Sequence, residues 1–250
     1  MKKRNSILIW YLATFLFTGV LILPHILWQE ASNYSISFTQ LGPLFATLLL
    51  IKINGDKDAL SSIKKGLRFE KRSIPLYILS ATIPLILTGI SAAILTLFFD
   101  SKYQAWSGTP IFFLLNFIAM LLGSVGEEIG WRGYLLPSLN KKTSPFISSI
   151  IIGLLWGFWH INYANNIVFW LLFVVITIEL SILFTFLLNK TKGNLWTSVI
   201  FHTFFNLSCR VFVWERFISI DFLIILIIVS SLACFVVIIL DKKQARIHQS

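Results

Sequence analysis

Charge and sulfur are scarce in this chain. Only 13% of its 250 residues are Asp, Glu, Lys or Arg, about half the share usual in a soluble domain. It has two cysteines, Cys209 and Cys234, both inside apolar segments. With no paired spacing, they exclude a disulfide framework and a cysteine-based zinc cluster. Both read as small packing residues. The sequence has no low-complexity stretch, no visible repeat and no polar run long enough for a separate soluble domain. Acidic residues are few, 11 against 21 basic, which leaves a net charge of +10. That charge does not point to nucleic acid, because the basic residues sit between apolar runs instead of lining one face. They read as topology signals and contacts for anionic lipid.

Apolar side chains, in contrast, are abundant. Hydrophobic residues make up 56% of the chain, with 23 Phe and 9 Trp, and the mean hydropathy is +0.80. A soluble fold of this size has too much surface per volume to bury so much of it. The bilayer is therefore the main solvent, and the fold class is all-α, a polytopic membrane protein. Apolar segments recur at 6–28, 37–53, 74–99, 110–139, 145–161, 167–188, 194–213 and 222–240. They predict about eight transmembrane helices. The first follows Lys2, Lys3 and Arg4, the charge pattern of a signal peptide. No small-x-small cleavage site follows it, so it reads as a retained helix.

The basic residues set the orientation. With the N-terminus cytoplasmic and the spans alternating, 18 of the 21 lysines and arginines fall inside. Lys102, Arg210 and Arg216 remain outside. The bias places both termini in the cytoplasm. The basic segment 54–73 carries Leu60, Ile63 and Leu67 at helical spacing, the pattern of an amphipathic surface helix as well as that of a basic loop.

Ionisable groups at membrane depth cost several kcal/mol unless paired or hydrated, so each needs a reason. They gather in three segments. In Gly126-Glu127-Glu128-Ile129-Gly130-Trp131-Arg132, the two carboxylates project about 100° apart. Glu128 and Arg132 are four apart, the spacing of a helical ion pair. That pairing leaves Glu127 to face a cavity as a general base. His160 closes the string Trp156-Gly157-Phe158-Trp159-His160. His202 and Asn206, four apart, share one face and both donate hydrogen bonds, an arrangement suited to a developing oxyanion. Counted from the cytoplasmic ends, Glu127 lies about 18 Å, His160 about 22 Å and His202 about 12 Å into the membrane. One hydrated pocket can hold all of them. Glu179 and Asn116 read as hydrogen-bonded structural groups, with a cavity-lining place near the site the alternative for Glu179.

Glu-Glu-x-x-x-Arg at 127–132, an aromatic-x-x-x-His at 156–160 and His-x-x-x-Asn at 202–206 resemble, in this order, the three motifs of the CPBP (Abi, or type II CAAX prenyl endopeptidase) family. The resemblance covers roughly 110–213, which reads as the catalytic core. Residues 1–109 then form the first three helices with the basic loop 54–73, and 214–250 the last helix and a basic tail. The resemblance implies an intramembrane endopeptidase with an eight-helix fold. By position, Glu127 activates water, His160 helps bind it, Glu128 and Arg132 support the site, and His202 and Asn206 stabilise the oxyanion. Trp156 stands where the family more often has Phe. The metal question stays open: Glu127, His160 and His202 match a three-ligand zinc site, yet Glu127 cannot easily be both ligand and base. The residues favour metal-free, glutamate-activated water. The partners implied are a peptide or membrane-tethered protein substrate and a bilayer with anionic lipid, in a bacterial plasma membrane. A non-catalytic immunity or accessory protein using the same fold is the alternative.

Overall fold

The structure is a computed structural model that describes residues 6–27, 38–98, 109–161, 166–213 and 219–247. Among these the regular structure is helical, with no strand. A bilayer leaves no water for open backbone groups, and helices satisfy theirs internally. The α-helices are α1 (Ser6–Leu21), α2 (Leu23–Leu27), α3 (Gly42–Asn54), α4 (Lys57–Gly66), α5 (Ile74–Phe98), α6 (Pro110–Glu128), α7 (Leu136–Asn140), α8 (Pro145–Trp159), α9 (Ile167–Lys190), α10 (Trp196–Val213) and α11 (Ile220–Ile247). Short 3-10 turns at Phe38–Leu41 and Lys71–Ser73 lead into α3 and α5.

Every predicted apolar segment carries a helix, but span length separates them. Four helical stretches are long and apolar enough to cross a membrane: Lys71–Phe98, Phe113–Asn140, Ile167–Lys190 and Ile220–Asp241. Ile7–Leu21, Phe38–Asn54 and Pro145–Trp159 are apolar but shorter. The first segment, expected as one helix over 6–28, is broken at Ile22 between α1 and α2. The eighth, expected at 222–240, is longer, spanning α11. Lys102, Arg216 and the basic residues before α1 lie outside the described residues.

α6 and α7 form one rod joined by a π-helical stretch, Ile129–Leu135. Pro137 accounts for the widening. It has no N–H for the carbonyl of Gly133, and its ring crowds that carbonyl. The wider turn carries Arg132, directly after Glu127 and Glu128. Such π segments recur at functional sites.

Glycines let the neighbours of this rod come close. A Cβ on Gly126 would stand 2.7 Å from Leu41 Cδ2, and one on Gly130 2.4 Å from Pro43 Cβ. On α8, a Cβ at Gly153 would meet Ile178 Cα at 2.4 Å, and one at Gly157 would meet Thr177 Oγ1 at 2.5 Å. These are two seams of small residues spaced four apart, the pattern that brings membrane helices into backbone contact. Across the second seam, Thr177 Oγ1 donates to the Gly153 carbonyl (3.0 Å) and Trp170 Nε1 to that of Gly157 (3.1 Å).

Buried aromatics lock α1 onto the same assembly. Trp10 donates to Thr47 Oγ1 (2.8 Å) and meets Trp131 edge-on at 4.9 Å. The Tyr11 hydroxyl donates to the Leu155 carbonyl (2.8 Å), and Trp159 Nε1 to Thr18 (3.0 Å). A buried indole or phenol needs such a partner.

The basic segment does contain a helix, α4, with Asp56 as its N-cap and Ile63 buried. Leu60 and Leu67 pack beside the core. Three bonds of 2.8 Å fasten this region to the start of α10: Leu195 N–H to Gly66 O, Trp196 Nε1 to Leu67 O, and Asn194 Nδ2 to Arg68 O. Beyond it, exposed Arg72 lies 2.9 Å from Glu70, and its hydrogen bond holds that carboxyl below the usual carboxylate range.

Candidate active site

The rod places Glu127 and Glu128 at the last turn of α6, both fully buried. Their carboxylates face different partners, as the 100° step requires. Glu128 Oε1 accepts from Arg132 Nη1 at 3.1 Å and from His202 Nδ1 at 2.9 Å. One carboxylate oxygen thus ties the first motif to α10. Glu127 turns the other way. Its Oε2 accepts from the Trp156 indole at 2.7 Å, and its Oε1 from the Gln40 amide at 3.1 Å.

Trp156 is the hub. Its ring lies 5.2 Å from that of His202 and 5.9 Å from that of His160, both edge-on. The Arg132 guanidinium stacks over it at 4.8 Å and over Phe184 at 4.4 Å. The Trp156 carbonyl accepts from His160 Nδ1 at 2.9 Å. A carbonyl only accepts, so Nδ1 carries the proton and Nε2 is the basic nitrogen of His160. Glu127 is within electrostatic reach of His202, and His202 of His160. Three helices that are distant in sequence converge here, each held by a seam or a hydrogen bond.

The comparisons with known proteins agree with the convergence. Residues 106–208 match the family model described as type II CAAX prenyl endopeptidase Rce1-like. Over most of its length the chain is similar to CAAX prenyl protease 2 of Methanococcus maripaludis, 28% identical across 264 aligned residues. That alignment covers 91% of this chain and 93% of the relative. Residues 106–208 are thus a segment similar to the Rce1-like family. It is also similar to lysostaphin resistance protein A of Staphylococcus haemolyticus, 25% identical over 189 residues, 74% of this chain and 51% of that protein. The similarity, with the apolar helices, indicates a membrane protein and supports a protease-type function.

Asn206 lies one turn beyond His202 on α10 and is half-buried. A further turn on, Arg210 donates to Asn116 Oδ1 of α6, so Asn116 is interhelical glue. Glu179 accepts from the hydroxyls of Ser230 and Ser231 on α11, which matches its reading as a hydrogen-bonded structural group.

The zinc reading was tested against the donors. Among the described residues, no three His, Cys, Asp or Glu side chains gather closely enough to hold a metal ion. Glu127 is engaged by Gln40 and Trp156, and His202 Nδ1 by Glu128. This arrangement does not fit a preformed Glu–His–His ligand set.

Two residues of this site escaped the sequence reading. Gln40 lies outside the matched segment 106–208, in a stretch with no motif. The only trace in the sequence is the glycine spacing at Gly123, Gly126 and Gly130, which marks a face open to close approach. At Trp156 the motif spacing marks an aromatic and not a hydrogen-bond donor. Its N–H is what bonds Glu127, and a Phe has none.

Proposed function

We propose that this protein is an intramembrane endopeptidase that hydrolyses a peptide bond with glutamate-activated water. The observation that carries the reading is a buried Glu127 clamped by two neutral donors while Glu128 takes the cation. Glu127 accepts a proton from water, and the water oxygen attacks the scissile carbonyl carbon. The neutral acid then returns the proton to the departing amine nitrogen as the C–N bond breaks. His160 Nε2 helps hold the water. His202, through the Nε2–H of its imidazolium form, and Asn206 donate to the carbonyl oxygen as negative charge builds on it. Glu128, itself held by Arg132, acts through His202, fixing its ring by accepting from Nδ1–H and balancing the imidazolium charge.

The substrate we propose is a peptide or membrane-tethered protein. The motifs and the relative named a CAAX prenyl protease support proteolysis. The membrane we propose is a bacterial plasma membrane, crossed by eight helices with both termini in the cytoplasm. The shorter helices α1, α3 and α8 cross as packed members of the bundle. The 18-to-3 distribution of basic residues supports this arrangement.

The test is cleavage of a peptide library by the purified protein. Glu127→Gln and His160→Ala should each reduce turnover to background while circular dichroism shows the helices intact. Cleavage at the wild-type rate in either variant would refute the assignment. The relative named for lysostaphin resistance favours a second reading, a non-catalytic immunity protein. If a protective phenotype survives Glu127→Ala, that second reading holds.

A further inference from the structure

On the basic side of the bundle, away from Glu127, lies a cleft of about 340 Å³. Four parts of the chain frame it: α4, the π–α7 stretch, the end of α9, and the turn before α10. Glu127, His160, His202 and Asn206 do not line it. Of the motif residues only Arg132 does. The volume falls in the range of small-ligand sites.

Its lining is graded. The rim is polar and exposed, with Lys141, Asn140, Asn189 and Ser62. Among the described residues, the last three make no side-chain hydrogen bond. Leu136 and Leu195 form a buried apolar wall, and Arg132 is buried beside them. Arg132 uses one nitrogen on Glu128. Its Nε and Nη2 are buried and have no hydrogen-bond partner among the described residues. No acidic side chain lines the cleft. Lys64 and Lys192 neighbour the lining residues Ile63 and Gly193 in sequence, and the Gly66–Leu195 bond draws α4 against the turn before α10. Hydrogen-bond donors and positive charge therefore meet an apolar wall at one membrane face. That combination complements a phosphate whose far side carries acyl chains.

We propose that this cleft binds a phosphate-bearing anion, and that the occupant in the membrane is the headgroup of an anionic phospholipid. The lipid is favoured over free phosphate by the apolar wall and by the position among the interfacial lysines. This site shares Arg132 with the proposed hydrolysis but does not require that reaction.

The test uses the purified full-length protein in detergent. Short-chain phosphatidylglycerol, phosphatidylcholine and inorganic phosphate are each titrated while the thermal midpoint is followed. Phosphatidylglycerol should raise the midpoint and phosphatidylcholine should not. Lys141→Ala should weaken the apparent affinity for phosphatidylglycerol about fivefold, and Lys141→Glu more, with peptide cleavage unchanged. If inorganic phosphate alone produces the full shift, the anion site stands and its lipid occupant is overturned. Equal shifts with both lipids, or wild-type affinity in both Lys141 variants, overturn the site itself.

Discussion

Trp156 holds Glu127 by a single buried N–H, and the size of that contact can be measured. Hydrogen bonds to charged groups contribute about 1.5–3 kcal/mol. Trp156→Phe keeps an aromatic ring between His160 and His202 and removes only the donor. We expect kcat to fall about 10- to 100-fold with KM little changed. Gln40→Met should act in the same direction, since Gln40 holds the other oxygen. In the Glu127→Gln background, Trp156→Phe should add almost nothing, because residues acting as one unit are non-additive. Full additivity would show that the indole contributes packing alone.

Between helices, the decisive contacts are made where a side chain is missing. Gly153 lets α8 meet the α9 backbone, and Gly130 lets the rod meet Pro43. Filling either seam forces backbone apart. Overpacking of this kind typically costs about 1–3 kcal/mol. Gly153→Val should lower the thermal midpoint of the purified protein and weaken cleavage, because Trp156 and His160 ride on α8. Gly130→Val should do the same through Gln40. Gly19 is the control: a Cβ there meets nothing within 4 Å. Gly19→Ala should leave the midpoint unchanged or slightly higher, since alanine is the better helix former. A midpoint for Gly153→Val equal to that of the wild type would remove the seam from the account. The π stretch belongs to this level too, since it alters the spacing along a rod that carries both glutamates and Arg132.

Over the whole molecule, basic residues gather at one end. The basic helix α4, Lys141 and Lys192 gather at one end of the bundle, held there by the bonds from residues 194–196 to 66–68. Moving so many cations across lipid is prohibitive, which supports the proposal that this end is the cytoplasmic one. Lys65→Cys, Lys141→Cys and Lys192→Cys should each react with an impermeant thiol reagent in inverted vesicles and not in intact cells. Reporters fused to either terminus should likewise be active only in the cytoplasm. Labelling of all three positions from the outside would invert the topology, and labelling from opposite sides would break the bundle as described.

Composition and periodicity are local properties, and they determined what is local. They identified lipid as the solvent, the positions of the helices, and Glu127, Glu128, Arg132, His160, His202 and Asn206 as residues needing a polar environment. The ion pair of Glu128 with Arg132 was legible because four residues make one helical turn. Helix ends and crossing lengths were less legible: the break at Ile22 and the short α8 depend on packing, which no window of sequence contains. What tertiary structure alone decided is which groups meet. Gln40 reaches Glu127 across 87 residues of chain, and His202 reaches Glu128 across 74. Those meetings depend on ångström-scale approach between helices, and that distance is set by glycines on surfaces whose partners only the folded chain assigns.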